Sequence, residues 1–329
     1  MAEACAVDSK VDAVLTLDRV SKRYPNGQVA VQELSLTVND GETCILVGPS
    51  GCGKTTTLRM VNRLIEPSGG RILLDGEDVT HLDPVRLRLR MGYVIQQVGL
   101  FPHMTVADNV ATVPNLLGWD RGRTRHRVAE LLELVGLPPD RFARRYPHQL
   151  SGGQRQRVGV ARALGADPPV LLMDEPFGAI DRVTRDRLQN EFLRIQAQMR
   201  KVVVFVTHDI DEAVKMGDRI AILKEGGILQ QYDTPARVLA EPATPFVAEF
   251  LGPDRGQKRL SVVHIDPDRL EKATMYHTDA EVPVEATLAD ALSAMLLHDT
   301  DRVKVGRNGE VFGVLTLSTL LETAAVHDD

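Results

Sequence analysis

Cysteine is scarce in this chain of 329 residues: only Cys5, Cys44 and Cys52 occur, and none stands at metal-ligand spacing from another. With one left over by count, a disulfide framework and a cysteine-built zinc site are both excluded, and a reducing compartment is expected. Long apolar runs are also missing. Nothing approaches the roughly 18 consecutive apolar residues of a membrane span, so any membrane role is expected to go through a partner. The opening MAEACAVDSKVD has neither the basic start nor the apolar stretch of a secretory signal. A basic surplus is lacking too. The 39 Lys and Arg against 45 Asp and Glu give a formal net charge of −6, which argues against a general nucleic-acid binder.

What is present belongs to a globular protein. Hydrophobic residues at 43% and charged residues at 26% are ordinary proportions and predict folding without disulfide or metal. The length exceeds what one core usually holds, so one large domain and a smaller one are expected.

The stretch ETCILVGPSGCGKTTTLRMVNRL predicts a short buried strand over 44–47, a glycine turn, and a helix from about Lys54. Gly48, Gly53, Lys54 and Thr55 fit G-x-x-x-x-G-K-[ST] in the strand–turn–helix context that the pattern requires. Glycines let the backbone turn its N–H groups inward, and a helix start favours an anion. The lysine serves the outer phosphates, and the threonine hydroxyl serves Mg²⁺. Gly51 adds a point of close approach. These residues predict a nucleoside triphosphate site.

Two further apolar runs supply its complement. PVLLMDEP predicts a strand over 170–173 that ends in Asp174 and Glu175, and a parallel strand carries its ligands at the carboxyl end. Asp174 can hold Mg²⁺ through water, and Glu175 can face an attacking water. KVVVFVTHD predicts a strand over 202–206 followed by Thr207, His208 and Asp209. A histidine after a strand is ordinarily structural. Only its sharing an edge with the phosphate loop and Glu175 makes His208 a candidate.

A second glycine turn needs its own reason. In LSGGQRQRV, Ser151 can cap a helix, and Gly152 and Gly153 leave its first N–H groups uncovered. Two anion-binding helix ends can serve one nucleotide if the second comes from another copy of the chain, so a homodimer closed by ATP is expected.

In this order GPSGCGKTT, LSGGQRQRV, VLLMDEP, GAID and VTHD resemble the nucleotide-binding subunit of ATP-binding cassette (ABC) transporters, over about residues 15–251. The resemblance implies an α/β P-loop NTPase of the ABC type with a helical subdomain at about 91–161, and cofactors ATP and Mg²⁺. It implies nucleotide contacts from Tyr24, which would stack on adenine, and from Gly48, Pro49, Ser50, Gly51, Cys52, Gly53, Lys54, Thr55 and Thr56. Ser151, Gly152, Gly153, Gln154 and Asp181 would contribute from the second copy's side of the sandwich. Gln96, in preference to Gln97, would touch Mg²⁺ and the attacking water, so that Glu175, His208 and Gln96 are the catalytic set and Thr55, Gln96 and Asp174 the metal set. GAID departs conservatively from the commoner S-A-L-D.

Within the helical subdomain, Val128, Leu131, Leu132 and Val135 fall at helical spacing as one packed face, and the arginines of RGRTRHR read as a solvated helix start. Tandem cassettes, long heptad runs and zinc cysteines, which mark soluble relatives acting on DNA or ribosomes, are not found. The resemblance therefore implies a transporter subunit on the cytoplasmic face of the plasma (inner) membrane. It would be bound to separate permease chains through a groove at Gln96 and residues 98–105, served indirectly by an extracytoplasmic substrate-binding protein, and without nucleic acid.

Finer likeness in TVADNVATVPNLLGW, RRYPHQLSGGQRQRVGVARALGADP and QYDTPARVLAEPATPFVAEFLG points to importers of quaternary amine osmoprotectants such as glycine betaine, carnitine, choline and proline betaine. Another solute, or a soluble cassette on nucleic acid, are the rival readings.

After residue 251 the composition shifts. Residues 252–260 read as a polar linker, placed within 252–282. Residues 283–329 predict helix, strand, turn, strand, helix, with Thr287 and Asp290 as a capping pair and Leu288, Ala291, Leu292, Met295 and Leu296 as an apolar face. Asn308-Gly309 signals a hairpin between strands over 302–305 and 311–317. This tail resembles one small α+β CBS motif. Such motifs work in pairs, which implies pairing between the tails of two copies. Gly313 and Thr316 match G-x-x-T-x-x-D, but Thr319 replaces the ribose-binding acid, so adenosine binding is not implied.

Overall fold

The computed structural model describes residues 13–96, 99–178, 181–272, 279–307 and 310–325. They fall into two compact units, one of residues up to 209 together with 221–229, the other of 210–220 with 230 onward.

The strands of the first unit are β1 (Ala13–Arg23), β2 (Val29–Asn39), β3 (Thr43–Val47), β4 (Gly69–Leu74), β5 (Glu77–Asp78), β6 (Met91–Val94), β7 (Val170–Asp174) and β8 (Val202–Val206), with residues 221–224 of β9 (Arg219–Lys224). An antiparallel sheet runs β2-β1-β4-β5, and a second sheet runs β9-β3-β8-β7-β6. In the second sheet β3, β8, β7 and β6 pair in parallel. Every residue of β3, β7 and β8 is buried. That is why TCILV, VLLMD and VVVFV read as unbroken apolar runs rather than alternating ones.

Register decides function here. Leu46 and Asp174 both stand opposite Val206, and Met173 stands opposite Val94. The carboxyl ends of four strands are thereby level, and the chain leaving each one emerges at a single edge.

Helices follow the expected starts. Lys54–Val61 begins straight after the glycine turn. Asp181 caps Arg182–Met199, its side chain accepting from Thr184 N. Ser151 and Gln154 form a reciprocal capping box at the start of Gly152–Ala163. In the helix Arg121–Leu134, Val128, Leu131 and Leu132 are buried, as is Val135 just beyond it.

Two expectations for this region are corrected. Residues 91–94 are a strand of the central sheet, since MGYV pairs residue by residue with β7, so the helical segment begins at Val106–Val110. The solvated helix start holds for Arg121, Arg123 and Arg125, which are exposed, and is corrected at Arg127, which is half-buried. Arg127 reaches Glu130 at 2.8 Å, Asp167 at 3.1 Å and the Leu164 carbonyl at 3.2 Å, and Arg123 lies 3.5 Å over the Trp119 ring. The far end of the same helix is held by Arg194, which donates to the Leu134 carbonyl, and by Arg157, which donates to the Val135 carbonyl and pairs with Glu191 at 3.2 Å.

In the second unit the helix Ile210–Met216 and β10 (Ile228–Asp233, mostly within this unit) precede helices Pro235–Ala240 and Pro245–Leu251. The expected polar linker is instead partly a helix, Arg255–Leu260. Lys258 anchors it through ion pairs to Asp211 at 3.1 Å and Asp254 at 3.3 Å.

Strands β11 (Glu281–Pro283), β12 (Arg302–Arg307) and β13 (Glu310–Thr316) follow, with helices Leu288–Leu297 and Leu317–Ala325. They form a sheet in that order, β11 parallel to β12 and β12 antiparallel to β13. The Thr287–Asp290 capping box is present. Asn308-Gly309 lies outside the described residues, but Arg307 pairs with Glu310 on either side of it. Leu288, Ala291 and Met295 are buried, whereas Leu296 is 74% exposed, because the sheet covers a narrower stripe of the helix than the periodicity suggests.

Phe205, next to the carboxyl end of β8, is fully buried and meets Phe177 with ring centroids 5.9 Å apart. Phe205→Ala should destabilise the first unit by about 3–5 kcal/mol, seen as a lowered midpoint in urea unfolding with little change in slope.

Candidate functional site

The glycine turn is shaped by close approach. A Cβ on Gly48 (φ 153°) would lie 2.1 Å from the Leu223 carbonyl oxygen, and one on Gly53 (φ 103°) 2.4 Å from that of Ala30. Neither position admits a side chain. Gly51, by contrast, has nothing within 4 Å of where a Cβ would stand, so its face of the loop is open.

Pro49 and Ser50 are exposed, while Cys52, Gly53 and Lys54 are buried and Thr55 and Thr56 half-buried. Lys54 lies over the loop, its Nζ donating to the carbonyls of Gly48 at 2.7 Å and Pro49 at 2.9 Å. Cys52 Sγ stands 3.7 Å from the same Nζ, and burial pushes its thiol up.

The helix that leaves the loop carries Thr55, whose hydroxyl donates to Asp174 Oδ1 at 3.0 Å. Asp174 is 8% exposed. Burial pushes its carboxyl above the ordinary 3.8, against the Thr55 hydrogen bond, the Arg59 charge and the nearby Tyr93 hydroxyl, while the Glu175 charge adds to the rise.

Hydroxyl, carboxylate and the Gln96 amide are hard oxygen donors. Among the described residues no group of three or more His, Cys, Asp or Glu side chains is placed to hold a metal. Few protein ligands of this kind fit Mg²⁺, which keeps waters and takes phosphate oxygens.

Next to Asp174 the backbone turns sharply. Glu175 is a non-glycine residue at φ 45°, a conformation that costs on the order of 1 kcal/mol. The turn is held by Glu175 N donating to the Val206 carbonyl at 3.0 Å. It points the carboxylate at two partners: Gln96 Nε2 donates to Oε2 at 3.3 Å, and His208 Nδ1 lies 3.3 Å from Oε1. A carboxylate so placed, at the edge that holds the phosphate loop, can take a proton from water while the amide and imidazole orient the reacting group.

Tyr24 borders an open cleft of about 1150 Å³ with Lys22, Val31 and Gly226, Lys22 Nζ lying 5.5 Å from its ring centre. Val31 also packs at Gly53, so cleft and loop adjoin. Ser151, Gly152, Gly153 and Asp181 line a separate hollow with Thr184, Arg187 and Leu188. Ser151 Oγ accepts from Gln154 N at 3.2 Å, and Gln154 Oε1 accepts from Ser151 N at 2.9 Å. No Cβ clash constrains Gly152, which opens outward. Asp181 is held low by its hydrogen bonds from Thr184. Of the expected residues, Gln97, Val98, Ala179 and Ile180 lie outside the described residues.

The motifs did not single out Tyr93 and Arg59, which lie near Asp174. Their signals are positional: Arg59 is four residues beyond Thr55 on one helix, and Tyr93 is paired with Leu172 in the sheet.

The profile described as "ABC transporter" matches residues 31–178. The glycine betaine/carnitine/choline transport ATP-binding protein OpuCA of Bacillus subtilis (strain 168) is 51% identical over 89% of this chain and 75% of its own length. The glycine betaine uptake system ATP-binding protein YehX of Escherichia coli (strain K12) is 44% identical over 94% of this chain and 100% of its own. Among solved structures, the dimeric post-hydrolysis state of the ATP-binding cassette MJ0796 bound to ADP and Pi superimposes with TM-score 0.59. It is 34% identical and covers 67% of this chain and 98% of that one.

The raised Asp174 carboxyl has a definite sign for stability. A folded-state value above the unfolded one means that the folded chain binds the proton more tightly, so stability is lost as pH rises from 3.8 through the raised value. Asp174→Asn should therefore raise the thermal midpoint of the nucleotide-free protein at neutral pH and lose that advantage below about pH 3.8, as scanning calorimetry at the two pH values would check.

Proposed function

The chain belongs to the ABC transporter ATP-binding subunits, ATPases that use ATP with Mg²⁺, and on that footing we propose that it powers an importer of quaternary amine osmoprotectants such as glycine betaine, carnitine or choline. The carrying observation is the constellation at one sheet edge: Thr55 on Asp174, and Gln96 and His208 on Glu175.

Two copies enclose each ATP. Gly48 to Thr56 of one copy cradle the phosphates through backbone N–H groups, Lys54 meets the outer phosphates, and Tyr24 stacks on adenine. Ser151, Gly152, Gly153 and Gln154 of the other copy cap the γ-phosphate, and Asp181 lies beside them in the contact. Mg²⁺, held by Thr55, Asp174 and Gln96, would neutralise the charge that develops between the outer phosphates. Glu175 accepts the proton of the attacking water while Gln96 and His208 hold the water and the γ-phosphate in line. Hydrolysis then reopens the pair.

No helix among the described residues is long and apolar enough to cross a membrane. Membrane attachment is assigned to a permease helix at Gln96 and residues 98–105, of which Phe101 borders an apolar hollow with Leu64, Tyr93, Ile95, Val113 and Arg162. Phe101 is 40% exposed there and awaits cover. The subunit then sits on the cytoplasmic face of the membrane, linked to a substrate-binding protein only through the permease. The cargo follows from relatives whose names specify glycine betaine, carnitine and choline and whose likeness extends past the cassette.

Residues 1–251 are taken as the ATPase and residues 283–329 as a single CBS-like motif. Leu296, Leu297, Phe312 and Leu321 of the motif are exposed, and contact with the second copy's tail is assigned to them. Thr319 bonds to Thr316 at 3.0 Å where an acid would serve ribose. Paired Leu297→Glu and Leu321→Glu changes should leave ATP binding intact and weaken association of the full chain, read by sedimentation. Unaltered association would assign the surface another role.

Glu175→Gln should keep ATP binding and slow turnover at least 100-fold. Uptake of labelled glycine betaine and choline after osmotic upshift should require the wild-type chain and fail with this variant. Uptake indifferent to the chain would discard the osmoprotectant assignment and leave the ATPase standing.

A further inference from the structure

A side chain that no motif singled out shapes the loop beyond Gln96. Asn109 lies in the helix Val106–Val110 and is fully buried. Its Oδ1 accepts from Phe101 N at 2.8 Å, and its Nδ2 donates to the carbonyls of Phe101 at 3.2 Å, Met104 at 3.3 Å and Thr105 at 2.9 Å. Two amide protons are thus shared among three carbonyls, and both polar atoms of the side chain are used. The turn it closes runs from Phe101 to Met104, where Met104 N donates to the Phe101 carbonyl at 3.1 Å and Pro102, with its fixed φ, holds the second position. Arg162 ties the same loop earlier, donating to the Gly99 carbonyl at 2.7 Å.

The helix does not need this amide for its own start, because Thr105 and Asp108 already form a reciprocal capping box there. Three of the four bonds leave the helix for Phe101 and Met104. Packing does not call for asparagine either, since leucine would fill a dry position without a polar group to satisfy. What the amide maintains is a turn whose Phe101, Pro102 and His103 are exposed. A loose loop would have to be ordered by whatever binds it, and that ordering would subtract from affinity. Here the buried amide orders the turn in advance.

We propose that Asn109 is a positioning residue for permease docking: its amide holds the turn 101–104 in the shape that presents Phe101 to the permease helix. This rests on the reading that a permease helix docks at Gln96 and residues 98–105.

The test uses the full chain and, as probe, inverted membrane vesicles from the cells that make it, stripped of peripheral protein, with liposomes of the same lipids as the blank. Asn109→Ala should raise the half-saturating vesicle concentration about tenfold while changing ATP affinity by less than about twofold. Hydrogen exchange should quicken about tenfold in the peptide covering 99–105, whose Phe101 N–H loses its acceptor, and stay unchanged in β3, β7 and β8. Pro102→Gly, at an exposed position, should loosen the same turn and carries the test if Asn109→Ala folds poorly. Faster exchange throughout the first unit with a matching loss of ATP affinity would reduce Asn109 to a fold-keeping role and overturn the inference. Phe101→Asp is the control for the docking reading. Weakened vesicle binding in Phe101→Asp but unchanged binding in Asn109→Ala would overturn the inference and leave that reading intact. Unchanged binding in Phe101→Asp would overturn the docking reading itself.

Discussion

Parallel pairing of β7 with β8 and β6 is the constraint on which the site depends. Asp174 stands opposite Val206, and Met173 opposite Val94. Gln96, Glu175 and His208 each follow their strand by one or two residues, so a level sheet edge delivers all three to one place. Side chains alternate faces along a strand, so a slip of one residue would turn Asp174 away from Thr55. Because VLLMD and VVVFV are buried on both faces, alternation of apolar and polar residues does not choose their register; close packing of side chains on both faces does. The hydrophobic core is thus also the alignment device of the chemistry.

Around that edge, local charges are arranged rather than merely gathered. Lys54 is held by backbone carbonyls rather than by a carboxylate, which keeps Asp174 and Glu175 from being neutralised by it. Asp174 is desolvated and hydrogen-bonded, whereas Glu175 retains partial exposure and contacts two orienting groups. Two adjacent acids therefore have different surroundings, the difference on which their proposed division of labour between metal and proton rests.

Much of this was legible in the sequence because it is local. The strand–turn–helix around Gly48–Lys54, the Ser151 and Thr287 caps and the strands ending at Asp174 and Val206 all lie within short windows where periodicity and capping chemistry act. What escaped depends on distant neighbours. MGYV reads as readily into the helical segment as into a strand, and only its pairing with β7 decides. Arg255–Leu260 has too few apolar residues for its helix to show a periodic face, and ion pairs of Lys258 across the chain hold it. Leu296 belongs to the periodic apolar face yet lies beyond the sheet's cover. Tyr93 and Arg59 fall in no motif because their placement near Asp174 is set by sheet register and helix phase together.

The helix Arg121–Leu134 is moored at both ends by long cationic side chains, Arg127 near its start and Arg157 and Arg194 at its close. Guanidinium groups on flexible stems keep contact with carbonyl and carboxylate oxygens through shifts that would open a void in an apolar seam. With Val128, Leu131 and Leu132 buried along its length, the helix is gripped by apolar packing at its middle and by guanidinium contacts at its ends, so loss of one arginine would free an end without unseating the whole.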